Sequence, residues 1–274
     1  MRARRQRRAW IAWLWVVITL VYTPVVVVMT LSFNESRYGT FPFEFTLQWY
    51  ATLAANDALL SAAVRSLALS ASVAIVAAAL GTALATWMVR YTRIGSMVFT
   101  GLLAAAITIP WLILAIAMLL VANVVGVGRG LPLLFLGSLV VAMPYVALIV
   151  VARLQGLGSE LEDAARSMGA RPLTAFRLVT LPLLSKAVLS GTLLAFIITF
   201  NNFPIHFFLA PFGFNTLPME IYTFVLSGYN PDINALATVL MTVAVGIGVG
   251  SLLVARRRRG EERAAGGLQG VLGA

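Results

Sequence analysis

The chain has 274 residues, of which 60% are hydrophobic and only 11% are charged. Soluble domains carry about twice that charged fraction, so the composition excludes an ordinary water-soluble domain and indicates one polytopic membrane domain. The net charge is +10, with no cysteine and one histidine, which excludes disulfides, thiolate metal sites and multi-histidine metal sites. The positive charge lies at the ends of apolar segments, so membrane orientation explains it better than nucleic-acid binding does.

The chain begins with a basic segment, residues 2–8, followed by an apolar run. A cleavable signal peptide would have a shorter apolar core and a small-residue cleavage site near its end. This run has neither feature. We therefore predict an uncleaved first span.

Six apolar segments are each about 20 residues or longer, which is the length that an α-helix needs to cross a bilayer. Their apolar runs are unbroken, whereas the strands of a β-barrel would alternate with period two. We predict an all-α membrane protein with six transmembrane helices. These lie at residues 10–31, 62–88, 97–122, 131–152, 183–207 and 234–255.

Arginine and lysine residues are distributed unequally between the two sides of these spans. With a cytoplasmic N-terminus, the outer side holds only Arg37, Arg65 and Arg129, and all other basic residues between the spans and at the ends lie inside. This asymmetry predicts that both termini are cytoplasmic. The domain organisation is then a basic N-terminus (1–9), a transmembrane domain (10–255) and a Gly- and Ala-rich tail (256–274), which we expect to be disordered.

Small residues recur within the spans. Ala77, Gly81 and Ala85 repeat every four residues in the second span, which predicts close helix packing. Gly246, Gly248 and Gly250 lie inside an apolar span with no strand before them, so helix packing explains them better than a dinucleotide fingerprint. The chain contains no Walker sequence and is not expected to bind ATP through a P-loop.

The segment between the fourth and fifth spans, residues 159–181, is charged and patterned; we call it the hairpin. Ser159 and Glu162 fit a capping box that would start a helix, and Gly169 suits the left-handed position that ends one. Pro172 would open a second short helix, and Pro182 would end it. Helical spacing places four residues of the first helix on one apolar face: Leu161, Ala164, Ala165 and Met168.

Periodicity leaves two interpretations of the hairpin open, a surface helix pair on the lipid headgroups or a docking element for a partner. Asp163-Ala164-Ala165, Gly169 and 179–182 (VTLP) resemble the EAA motif of importer permeases in the ATP-binding-cassette superfamily. That motif runs E-A-A, three residues, G, nine residues, I-x-L-P. Asp163 replaces its glutamate and Val179 its isoleucine, and the spacing matches throughout.

The resemblance extends over nearly the whole chain. Residues 31–34 (LSFN), 36–39 (SRYG) and 234–238 (NALAT) are similar to the second permease subunit of spermidine/putrescine importers. The resemblance implies a type I importer permease fold in the bacterial inner membrane. The implied partners are a second homologous permease, two ATP-binding subunits that hold ATP and Mg, and an extracytoplasmic substrate-binding protein.

The resemblance also implies which residues couple the chain to its ATPase partner. On this basis the coupling residues are Glu160, Glu162, Asp163, Ala164, Ala165, Gly169, Phe176 and Pro182. No catalytic residue, metal ligand or cofactor is expected in this chain itself.

Polar residues inside spans are candidates for the substrate pathway. The fifth span carries Asn201, Asn202 and His206, and prolines precede Trp111 and Tyr145 in the third and fourth spans. The polyamine subfamily is expected to carry acidic residues near the asparagine pair, so the neutral amides leave the substrate open between a polyamine and another small polar solute. Alternatively, the two asparagines form hydrogen bonds between helices, and His206 lies at the membrane–water interface without contacting substrate.

Two other functions compete with an importer permease. An ion-coupled secondary carrier would need internal repeats or intramembrane carboxylates, and none of the proposed spans contains Asp or Glu. An intramembrane enzyme would need a catalytic constellation, and the sequence offers no Ser/His pair, carboxylate pair or metal-ligand set.

Overall fold

A computed structural model describes residues 2–36, 40, 42–91, 95–227 and 231–246, and the side chains of all of these except 2–5, 7–9, 95 and 96. Its regular structure is helical, apart from one isolated antiparallel bridge between Asn34 and Phe45 in this part of the chain. The helices are α1 (Arg2–Leu31), α2 (Gln48–Ala54), α3 (Asp57–Tyr91), α4 (Gly95–Thr108), α5 (Trp111–Val124), α6 (Leu131–Gln155), α7 (Glu160–Ser167), α8 (Pro172–Ala175), α9 (Leu181–Phe200), α10 (Phe203–Leu209), α11 (Leu217–Leu226) and α12 (Asp232–Gly246).

Four helical stretches of the described chain are long and apolar enough to cross a membrane. They are Trp10–Leu31, Asp57–Tyr91, Leu131–Gln155 and Pro172–Phe200, and they cover the first, second, fourth and most of the fifth predicted spans. The sixth predicted span begins as α12, and its remainder, 247–255, lies outside the described residues.

The third predicted span is wrong as a single straight helix. The chain bends by 99° between Met97–Thr108 and Trp111–Val124. Pro110 accounts for the break, because it has no N–H to donate and it disfavours helical geometry in the residue before it. Pro110 adopts φ −57° and ψ 125° and forms the N-cap of α5.

The fifth predicted span is also interrupted. Helix α9 ends at Phe200, and α10 begins at Phe203. Asn202 lies between them, and its Oδ1 accepts a hydrogen bond from the Ile205 amide at 3.1 Å. An asparagine cap followed by Pro204 in the first turn starts a new helix rather than continuing the old one.

The chain divides into two compact units, the first of which comprises Met1–Asp57 with Phe224–Ala274. In this unit the loop after α1 is folded rather than open. Phe33 stacks on Phe45 with ring centroids 5.8 Å apart, and the Trp49 indole donates to the Asn34 carbonyl at 2.8 Å.

The second unit, Ala58–Thr223, is built around α6. Val146 of α6 packs between two glycines: a Cβ placed on Gly81 of α3 would lie 3.0 Å from Val146 Cβ, and one on Gly191 of α9 would lie 3.2 Å from Val146 Cα. Ala77 and Ala85 are fully buried on either side of Gly81. The predicted close packing along this small-residue row is confirmed.

We predict that Gly81→Val lowers the thermal stability of the detergent-solubilised protein, because overpacking a filled interface costs about 1–3 kcal/mol. Tryptophan fluorescence during heating measures the change. Gly101→Val is the matched control, since no described atom outside the local helix backbone lies within 4 Å of a Cβ at that helical glycine. An equal loss in both variants would contradict the packing account.

Candidate functional site

Helix α7 starts differently from the capping-box prediction. Ser159 has φ −106° and ψ −7° and makes no side-chain cap hydrogen bond. The Glu162 carboxylate is held by other partners, so it does not reach back to Ser159. Three acidic residues in the first turn, Glu160, Glu162 and Asp163, still favour this helix start through the helix dipole.

Helix α7 ends as predicted, in a left-handed turn at Gly169. This glycine has φ 88°. The Ala170 amide donates to the Ala165 carbonyl at 3.1 Å, and the Gly169 amide donates to the Arg166 carbonyl at 2.9 Å. This pair of bonds is the Schellman motif, which fixes the direction in which the chain leaves the helix.

The second half of the hairpin runs directly into the membrane helix. Pro172 opens α8, as predicted. The prediction that Pro182 ends this helix is wrong, because Pro182 lies in the first turn of α9, within the continuous helical stretch Pro172–Phe200. A proline inside a helix clashes with the carbonyl four residues earlier, and the π-helical turn Phe176–Thr180 widens the backbone just before it.

The predicted apolar face of α7 is divided between two sides of the helix. Ala165 is buried, together with Glu162, whereas Leu161 is 58% exposed and Met168 is 84% exposed. Leu173 of α8 is 63% exposed. Glu160, Asp163, Ala164 and Gly169 are also exposed. The hairpin therefore presents an outer face with apolar residues beside acidic ones.

The inner face of the hairpin is centred on Glu162, which is 7% exposed. Its Oε1 accepts a hydrogen bond from Arg166 Nη2 at 2.8 Å. Its Oε2 accepts one from Thr180 Oγ1 at 3.1 Å and lies 3.3 Å from Arg90 Nε. One carboxylate thus connects α7 to α3 and to the π-helical turn, and a buried charge needs such pairing.

Sequence reasoning missed Arg90 and Thr180 as members of this cluster. In the sequence, Arg90 resembles the basic residues at the ends of spans that set membrane orientation. No local pattern pairs it with a glutamate in a distant segment. Of the two remaining predicted coupling residues, Phe176 is half-buried and Pro182 is exposed.

The predicted pathway residues separate into buried and accessible positions. Asn202 and His206 are fully buried, and His206 Nδ1 lies 3.0 Å from Thr216 Oγ1. Asn201 is exposed, and its side chain donates to the Ile197 carbonyl at 3.0 Å.

Trp111 and Tyr145 are half-buried. Among the residues that the structure describes, no hydrogen bond joins either side chain to the asparagine pair. Hydrogen bonds among the described residues do not connect the five positions to one another.

The family model for the binding-protein-dependent transport system inner membrane component matches residues 73–259. The spermidine/putrescine transport system permease protein PotC of Haemophilus influenzae is 32% identical, covering 90% of this chain and 96% of its own. The putrescine transport system permease protein PotI of Escherichia coli is 36% identical, covering 84% of each chain. A bacterial ABC transporter involved in alginate import has a chain of the same fold, with a TM-score of 0.69 at 14% identity, covering 92% of this chain and 96% of that one.

Proposed function

The chain belongs to the family of binding-protein-dependent transport system inner membrane components, and on that premise we propose that its hairpin is the contact with a cytoplasmic ATPase subunit. The chain is a multi-pass inner-membrane permease of an ATP-driven importer, and its relatives favour this function over an ion-coupled carrier. Half of the translocation pore comes from this chain, and the other half from a second homologous permease.

The observation that carries the docking proposal is the exposed outer face of the hairpin. Leu161, Met168 and Leu173 leave large apolar surfaces uncovered in this chain, on a short helix pair that also carries the exposed acidic residues Glu160 and Asp163. Apolar residues at the centre of a patch with a charged rim are typical of a protein interface.

Two ATPase subunits, each binding ATP and Mg, would drive the cycle, and an extracytoplasmic binding protein would deliver the cargo. Closure of the ATPase pair would displace the hairpin, and the displacement would rotate the membrane helices between two access states. Ala164 and Gly169 lie on the outer face and so would lie close to the partner. Ala165 and Phe176 would instead join the hairpin to the membrane domain.

The topology that fits this function has six spans and two cytoplasmic termini. The bent pair α4 and α5 counts as one span, and α12 begins the sixth. The basic segment 1–9 and the tail 256–274 would flank the transmembrane domain 10–255 on the cytoplasmic side. The support for this topology is the unequal number of Lys and Arg residues on the two sides of the predicted spans.

The cargo is proposed to be a polyamine or a related small polar solute, because two relatives are polyamine permeases by name. A pore between two permeases is lined by surfaces that are exposed in each chain alone. Asn201 meets that condition, and the half-buried Trp111 and Tyr145 meet it in part. Asn202 and His206 are enclosed within this chain, so their role would be to hold the break between α9 and α10 in shape.

We predict that replacing both Met168 and Leu173 with glutamate weakens copurification of the ATPase. A desolvated anchor residue commonly contributes about 2 kcal/mol or more, so the affinity should fall by more than about tenfold. Phe212→Glu is the control, because Phe212 is equally apolar and exposed but lies in the loop after α10. Undiminished ATPase binding by the double variant would contradict the docking assignment.

We predict that Gly169→Asp leaves the complex inserted yet abolishes uptake. A side chain at positive φ costs about 1 kcal/mol of backbone strain, and relief of that strain would turn the second half of the hairpin away from its partner. Gly126→Asp is the matched control, because Gly126 has φ 80° and equally open surroundings. Membrane fractionation checks insertion, and uptake of labelled putrescine checks function; normal uptake by Gly169→Asp would overturn the prediction.

We predict that Asn201→Lys reduces putrescine uptake and that Asn201→Asp preserves it, because a cationic cargo is repelled by a lysine in its pathway. Asn123→Lys provides the control, since Asn123 is also an exposed asparagine at the C-terminal end of an apolar helix. Equal uptake by both Asn201 variants would remove this residue from the pathway.

A further inference from the structure

Helix α3 has no direct chain connection to the hairpin, yet its Arg90 contacts both the hairpin and the residue just before it. Arg90 Nη2 donates to the Gly158 carbonyl at 2.6 Å, and Arg90 Nε lies 3.3 Å from Glu162 Oε2. The Arg90 side chain is only 14% exposed. The planar guanidinium carries its N–H groups in a fixed fork; Nη2 donates a hydrogen bond to Gly158 while the charge pairs with the Glu162 carboxylate.

The Gly158 carbonyl lies within a short glycine-containing joint, and Glu162 lies in the helix that follows this joint. Helix α6 ends at Gln155 and α7 begins at Glu160, and the link between them contains Gly156 and Gly158. Gly158 has φ 60°, a conformation that glycine adopts without steric cost. Such a link would let α7 swing relative to α6 unless another element held it.

Glu162 extends the same connection to α9. Its carboxylate also accepts the Thr180 hydroxyl at 3.1 Å, and Thr180 ends the π-helical turn that leads into α9. Arg166, one turn along α7, holds the other carboxylate oxygen and lies 3.5 Å from the Tyr91 hydroxyl at the end of α3. The Oε2 oxygen of this buried carboxylate therefore joins α7 to α3 and to the π-helical turn, and the Oε1 oxygen pairs within α7.

We propose that Arg90 and Glu162 form a clamp that locks the glycine joint, so that α7 and the adjoining ends of α3 and α9 move as one rigid body. Without the clamp, motion of the hairpin reaches α9 through continuous helix, but it reaches α3 only through packing and the 3.5 Å contact between Arg166 and Tyr91. Both are positioning residues, because they act through the hairpin rather than on the cargo. The inference rests on the proposed function, since it assumes that a partner moves the hairpin.

A role in stability alone explains the cluster poorly. A buried ion pair contributes little net stability compared with apolar residues of similar volume, because desolvating both charges opposes their attraction. What the pair supplies is a fixed geometry between three elements. Loss of the clamp should therefore lower the amount of cargo transported per ATP hydrolysed, and not only the stability of the fold.

The test compares Arg90→Ala with Arg153→Ala, a control that removes an exposed arginine from the last turn of α6. Each variant is reconstituted with the second permease, the ATPase subunits and the binding protein. Amide hydrogen exchange at residues 156–161 reports the joint directly and needs no cargo. We expect faster exchange there in Arg90→Ala alone.

The second measurement is labelled putrescine transported per ATP hydrolysed. We expect this ratio to fall about tenfold in Arg90→Ala, within the range of factors that link coupled sites, while ATP hydrolysis continues. Arg90→Lys, which keeps the charge but not the fork, should give an intermediate ratio and provides the comparison if Arg90→Ala does not accumulate. An unchanged ratio or unchanged exchange in the arginine variants would overturn the clamp.

The natural absence of cysteine permits a rescue experiment. Arg90→Cys with Glu162→Cys removes both charges, and a short bifunctional thiol reagent then joins the two positions covalently. Recovery of the transport ratio after bridging is expected; no recovery, with bridging confirmed by mass spectrometry, would refute rigid coupling. Failure of the unaltered chain to retain the ATPase would instead refute the proposed function, so the two failures are distinguishable.

Discussion

Backbone groups that water cannot reach must find their partners within the chain. Long unbroken helices meet this requirement automatically, so every break in a helix needs a specific solution. The break after α9 is resolved by Asn202, whose side chain accepts the Ile205 amide. The proline in the first turn of α9 is accommodated by the π-helical turn before it, and the end of α7 by the paired bonds around Gly169. The breaks within the membrane helices are therefore set by the residues that can satisfy this constraint.

Hydropathy was sufficient to predict where the long helices lie, because an apolar run of that length has few alternatives. It did not predict the breaks at Pro110 and at Asn201-Asn202, because averaging over a long window hides one or two residues that alter the backbone locally. Both breaks carry local signals, a proline in one and an asparagine pair before a proline in the other. Gly169 was predictable because its role depends only on the residues next to it.

The function of Glu162 shows where sequence reasoning stops. Its spacing from Ser159 fits a capping box, yet its carboxylate pairs with Arg90, Arg166 and Thr180. A charged partner is stronger than a backbone amide for a carboxylate that folding removes from water. That partner lies in α3, far away along the sequence, so only the folded chain reveals which of two chemically reasonable roles the residue takes.

The seat of Val146 between Gly81 and Gly191 has a mechanical consequence. If α6 moved along α3 or α9, the Val146 side chain would leave the spaces beside Gly81 and Gly191. Residues larger than glycine would then face the α6 backbone. Sliding among α3, α6 and α9 is therefore resisted, whereas movement of the three as one block leaves the contact intact. We therefore expect α3, α6 and α9 to tilt together as one rigid unit, without sliding past one another.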